Sequence, residues 1–162
     1  MLKPLQEWIC DSCGEVISSP KEGYLEWLSD DDHKAYDFVM VHHAIHSPKR
    51  SGKDCYLHAH SPRSSSTSLD NYTGPNAQAY LYRFLDFGEY HDPDNTGPKL
   101  KDIREFVNLM RRLTIPYYEE ARRYFGETKY RDMLAGGANE ILMFTPAFLK
   151  QVIEECQEEE DE

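Results

Sequence analysis

The chain has 162 residues, a formal net charge of −11, and 40% hydrophobic and 12% aromatic residues, which is one domain's length with enough apolar material for a folded core. No run approaches the roughly 20 apolar residues that span a bilayer, and Gln6-Glu7 follows the first five residues where an exported chain would carry an apolar signal core. The composition therefore excludes a disordered or membrane-spanning chain and predicts a soluble, cytoplasmic protein with reduced cysteines and no membrane partner.

The first third reads as short strands. Glu7-Trp8-Ile9 leads into Cys10-Asp11-Ser12-Cys13-Gly14. After the turn residues Pro20 to Gly23, Tyr24-Leu25-Glu26-Trp27-Leu28 is rich in strand formers. Ser29-Asp30-Asp31-Asp32 reverses the chain, and Tyr36 to His42 is its most strand-like run. From Ser47 to Asn71 the composition turns to Ser, Pro, Lys, Arg, Gly and His, interrupted by Cys55-Tyr56-Leu57. This predicts loop or linker.

Helical signals follow. Thr73-Gly74-Pro75 opens a segment with Ala77, Tyr80, Leu81, Phe84 and Leu85 on one face and Gly88 beyond its end. After the turn-rich Asp92 to Gly97, Pro98 starts a run placing Leu100, Ile103, Phe106, Val107, Met110 and Leu113 on one stripe. A helix from Pro116 to Phe125, a shorter one from Glu127 to Leu134 stopped by Gly136-Gly137, and a last one from Pro146 burying Phe148, Leu149, Val152 and Ile153 complete the pattern. The expected fold class is α+β. Its expected parts are an antiparallel β-hairpin unit over residues 1–60, a polar linker over 61–73, a helical unit over 74–156 and an acidic tail over 157–162.

The chemistry concentrates in the first part. Cys-x-x-Cys on a tight turn presents two thiolates from one loop, and the following Gly14 lets that turn close. Cys55 and five histidines, His42, His43, His46, His58 and His60, lie within reach of the same unit. Cys10-Asp11-Ser12-Cys13-Gly14 after Trp8-Ile9 resembles the first knuckle of zinc-ribbon proteins. The resemblance implies a second ligand pair, for which Cys55-Tyr56-Leu57-His58 keeps the spacing with one histidine substituted. Adjacent strand residues point to opposite faces, so only one of His42 and His43 should reach the ion. The expected ligands of a structural Zn2+ are Cys10, Cys13 and Cys55, with His43 or His58 as the fourth. A filled Cys3His shell leaves no open position for catalysis.

A knuckle followed by a strand ending in Val41-His42-His43 is also similar to the HNH nuclease family. That family implies an Asn and a further His on a following helix; the segment from Pro75 offers Asn76 and no histidine before His91. No Gly-x-Ser-x-Gly, Gly-x-x-x-x-Gly-Lys or Gly-x-Gly-x-x-Gly pattern is present.

Arg104, Arg111 and Arg112 share a helix face, and Arg122 and Arg123 follow in the next helix. They form a candidate interaction face, the alternative being salt bridges to Glu105, Glu119, Glu120 and Glu127. Residues 98–153 carry 10 Lys and Arg against 7 Asp and Glu, while residues 154–162 carry 0 against 7, a poor balance for counterion-driven nucleic-acid binding. The expected role is non-enzymatic recognition of another protein. The alternatives are a zinc-dependent HNH-like nuclease and a nucleic-acid-binding regulator with an autoinhibitory acidic tail.

Overall fold

The strand-forming runs of the first third pair as antiparallel ladders. In the computed structural model, which describes residues 1–48, 54–86, 88, 97–136 and 141–160, β1 (Trp8–Ile9) pairs with β2 (Val16–Ile17) around the cysteine turn. A separate sheet has the order β4-β3-β5, from β3 (Gly23–Ser29), β4 (Ala35–His42) and β5 (Ser64–Ser68). The register sets Gly23 opposite His42 at one end of β3 and Ser29 opposite Ala35 at the other.

Five α-helices are present among the described residues: α1 (Ala77–Leu85), α2 (Ile103–Thr114), α3 (Tyr118–Ala121), α4 (Thr128–Ala135) and α5 (Pro146–Glu160). With the sheets concentrated in the N-terminal half, the chain is α+β. None of these helices is long and apolar enough to cross a membrane. The turn-rich Asp92 to Thr96, Gly137 and the last two residues of the acidic tail lie outside the described residues.

Ser64–Ser68 is a strand where linker was expected. Trp27 pairs with Ser65 and Tyr24 with Ser68, and because the ladder is made by backbone groups an edge strand needs no apolar alternation. The first core then runs from the sheet straight into α1 and α2, joining Trp8, Leu25, Met40, Leu81, Phe84, Phe106, Leu109 and Leu113. Phe84 is its hub, with edge-to-face contacts to Trp27 and Phe38 at centroid distances of 5.1 Å each. A second core gathers Tyr118, Ala121, Tyr124, Tyr130, Leu149, Val152, Ile153 and Cys156 from the later helices.

On α2 the buried face is Phe106, Leu109, Arg112 and Leu113, so Leu109 replaces Ile103 and Val107, which are exposed. Two apolar stripes compete on this helix, and the inward one also carries Arg112. The buried Glu119 and the half-buried Asp11 on neighbouring elements draw it in.

Candidate metal centre

β1 and β2 with their connecting turn form the knuckle. Gly14 adopts φ +76°, a left-handed conformation that costs glycine nothing, and its N–H donates to Cys10 O at 2.9 Å. Asp11 then fastens the knuckle to β4. Its N–H donates to Met40 O at 2.8 Å, and its Oδ2 accepts Met40 N–H at 2.7 Å. This places the turn alongside the end of β4, where His42 is buried.

The third cysteine arrives on the loop after β4. Cys55 N–H donates to Ser47 Oγ at 3.1 Å, and the buried Glu26 carboxylate of β3 accepts the N–H groups of Leu57 at 2.9 Å and His58 at 3.4 Å. One carboxylate thus holds the Cys55 loop against the sheet. The four donor atoms of Cys10, Cys13, His42 and Cys55 all lie within 4.8 Å of one another.

Tautomer and distance both suit a tetrahedral ion. His42 Nε2 lies 3.1 Å from Val16 O, and a carbonyl can only accept, so Nε2 carries the proton and Nδ1 presents its lone pair. That nitrogen is 3.5 Å from Cys13 Sγ and 3.9 Å from Cys55 Sγ. Metal–sulfur and metal–nitrogen bonds of about 2.3 and 2.0 Å at tetrahedral angles separate S from N by roughly 3.5 Å. The cluster is therefore a group of four side chains able to bind a metal ion.

Cys10 and Cys55 are buried and Cys13 is exposed as a residue, yet its sulfur faces the other donors. Desolvation pushes the Cys13 thiol up to about 12; a backbone hydrogen bond at Glu15 opposes the rise and hydrogen bonding to Cys10 adds to it. Crowded thiols resist ionising side by side. A divalent cation at this cluster would supply the missing charge, and its binding would release thiol protons and weaken as pH falls.

The histidines proposed from the sequence are placed elsewhere. His43 follows the end of β4; its ring packs edge-on against Tyr24 at 4.7 Å, and its Nδ1 accepts Ile45 N–H at 3.4 Å. His58 donates from Nε2 to Asp37 O at 2.9 Å. Of the two adjacent histidines, the one paired with Gly23 inside the strand joins the cluster.

The arginines do not form one open face. Arg112 is 5% exposed and donates to Glu119 through Nε at 2.7 Å and to Asp11 through Nη1 at 2.7 Å. Arg122 joins the same two carboxylates at 3.0 Å each. Burial alone would lower the Arg112 guanidinium; the charges and hydrogen bonds of Glu119 and Asp11 override it and hold the group above its usual range. Arg111 stacks on Phe144 at 3.9 Å. Arg104 and Arg123 are exposed, Arg104 paired with Asp102 at 2.8 Å.

Asp11 is the residue that composition did not single out. Lying between Cys10 and Cys13, it links the knuckle to β4 and, through Arg112 and Arg122, to the helices. Its position inside the Cys-x-x-Cys turn was the available signal. Of the HNH-type groups, Asn76 sits just before α1 and His91 is outside the described residues. Comparison with known protein families, with curated proteins and with solved structures finds no match.

Proposed function

We propose that the cluster is a structural Zn2+ centre and that the protein is a non-enzymatic recognition module whose partner is another protein. The observation that carries this reading is the set of four donors, three sulfurs and one nitrogen, meeting at tetrahedral spacing. That set suits zinc among divalent ions, and filling all four positions leaves none for a reactive water. The ion then acts by stapling the knuckle, the end of β4 and the Cys55 loop.

A protein partner suits the remaining surface better than a nucleic acid does. Arg112 and Arg122 are held by Glu119 and Asp11, and the chain carries a net charge of −11. With 18 Lys and Arg against 29 Asp and Glu, the chain has no excess of cations to displace counterions. Exposed Tyr82 on α1 and exposed Ile103 and Val107 on α2 are the apolar and aromatic type of contact that protein interfaces use.

The test combines two readouts on the zinc-loaded chain. A photoreactive residue at Val107 is expected to cross-link to protein in cells of the native source, and labelled single- and double-stranded oligonucleotides are expected to show no salt-dependent change in anisotropy. Salt-dependent oligonucleotide binding that disappears on replacing Arg104 and Arg123 with Gln would overturn the protein-partner reading.

A further inference from the structure

The end of β3 remote from the cysteines carries a second recess. His42 pairs with Gly23 and Ala35 with Ser29, so the two ends of the strand are six residues apart, about 20 Å. On the sheet face that α1 covers, a pocket of about 220 Å3 opens between β3, β4, β5, the end of α1 and the segment at Lys99. Trp27 and Phe84 form its apolar floor, packed edge-to-face.

Its polar lining is cationic and hydroxylic. Arg83 lies 5.2 Å from both floor rings. Lys99 is held beside it by backbone bonds, its N–H donating to Phe84 O at 2.9 Å and its carbonyl accepting Ala35 N–H at 2.7 Å. Ser29 and Ser65 add two hydroxyls from neighbouring strands, and His33 adds an imidazole. None of the residues lining this pocket is a carboxylate, in a chain whose net charge is −11, and Asp86 lies near enough for its charge to interact with that of Lys99. The helix dipole explains a cation in the last turn of α1, but it does not explain Lys99, His33 and two serines converging on the same space.

His33 reaches the pocket from the turn between β3 and β4. It holds φ +59° in a turn closed by His33 N–H to Asp30 O at 3.1 Å and Asp30 N–H to Lys34 O at 3.0 Å. This turn sets an imidazole at the pocket wall.

Donor chemistry selects the ligand. Five side chains able to donate line this pocket, and they suit the several oxygens of a phosphoryl group better than the two of a carboxylate. A second recess of about 370 Å3 adjoins it, sharing Ser29, His33 and Ser65 and adding Asp30, Asp31 and Arg63. Asp31 is paired there with Arg63, and Asp30 Oδ1 accepts the N–H groups of Asp32 at 3.0 Å and Lys34 at 2.9 Å; the second oxygen of each carboxylate can accept from sugar hydroxyls. We propose that these joined recesses bind a small sugar phosphate, its phosphoryl group among Arg83, Lys99, His33, Ser29 and Ser65 and its hydroxyls toward Asp30 and Asp31.

The test is calorimetric titration of the metal-loaded full chain with ribose 5-phosphate, inorganic phosphate and ribose. Ribose 5-phosphate is expected to bind one to one with a dissociation constant of about 0.1 mM, inorganic phosphate more weakly, and ribose not at all. Arg83→Gln is expected to weaken ribose 5-phosphate by about tenfold or more, the effect of losing one charge-assisted contact. Ser65→Glu, on an exposed edge strand where it leaves the fold intact, is expected to abolish binding by placing a carboxylate in the pocket.

Absence of saturable binding by either phosphate overturns the site, as does binding that survives both substitutions. Equal affinity for inorganic phosphate and ribose 5-phosphate overturns the role given to Asp30 and Asp31. Tighter, Arg83-dependent binding of a 5′-phosphorylated oligonucleotide or a phosphoserine peptide overturns the small-molecule assignment.

Discussion

Cys10→Ser is expected to abolish stoichiometric zinc binding and to melt the first core well below the temperature of the unaltered chain. Cys10 is 1% exposed and packs in that core with Trp8 and Ile17, so loss of the ion removes a cross-link between three segments and leaves a polar hydroxyl among apolar side chains. Binding of zinc to a Cys and His shell contributes about 10 to 16 kcal/mol in small zinc-folded peptides, comparable with the whole stability of a domain. The effect should therefore be large. Because the sheet, α1 and α2 share one core, the loss should reach beyond the knuckle. Metal analysis with thermal melting followed by tryptophan fluorescence checks it, and Cys156→Ala, in the second core, should keep its zinc. A Cys10→Ser protein that retained one zinc per chain with an unchanged melt would refute the ligand assignment.

Arg112→Ala is expected to destabilise the protein by about 3 to 5 kcal/mol, the cost of breaking a buried ion pair from one side. The guanidinium meets Glu119, which is 6% exposed, and Asp11, and its Nη2 also donates to Ile9 O at 3.3 Å. Without it two carboxylates face each other with only Arg122 between them. Ile9 N–H donates to Glu119 Oε1 at 3.0 Å, so the carboxylate that Arg112 neutralises also secures β1 to α3, while the bond from Trp8 Nε1–H to the Arg112 backbone carbonyl at 3.2 Å survives the substitution. Urea unfolding of the zinc-loaded chain measures the loss. Arg112→Ala should also weaken zinc retention, since Asp11 in the knuckle turn loses the partner that orients it. An exposed arginine would give less than about 0.5 kcal/mol, and a change that small would contradict the buried network.

These two residues mark where sequence reading succeeds and where it stops. The cysteines were legible because Cys-x-x-Cys-Gly is a local device: the turn, its glycine and both sulfurs are set by five consecutive residues. The histidine was not. Met40, Val41 and His42 are all buried, because one side of the strand end meets the sheet core and the other the knuckle, and a strand covered on both faces loses the alternation that would tell His42 from His43. Arg112 was legible only in part. Salt bridging to Glu119, 7 residues away, was one of its two expected roles, but Asp11 lies 101 residues away and only the tertiary fold brings it to the guanidinium. Ser64–Ser68 carries its information in backbone hydrogen bonds, which leave no mark on side-chain pattern. The helices from Pro98 onward were visible in their periodicity, although two apolar stripes on α2 concealed which one turns inward.

The most direct measurement is X-ray absorption at the zinc edge of the metal-loaded chain, taken for the unaltered protein and for His42→Ala, His43→Ala and His58→Ala. The centre described here predicts three sulfurs at about 2.3 Å and one nitrogen at about 2.0 Å, with the nitrogen shell lost in His42→Ala and kept in the other two. A nitrogen shell that survived His42→Ala and vanished with His43→Ala or His58→Ala, or a shell with fewer than three sulfurs in the unaltered protein, would contradict it.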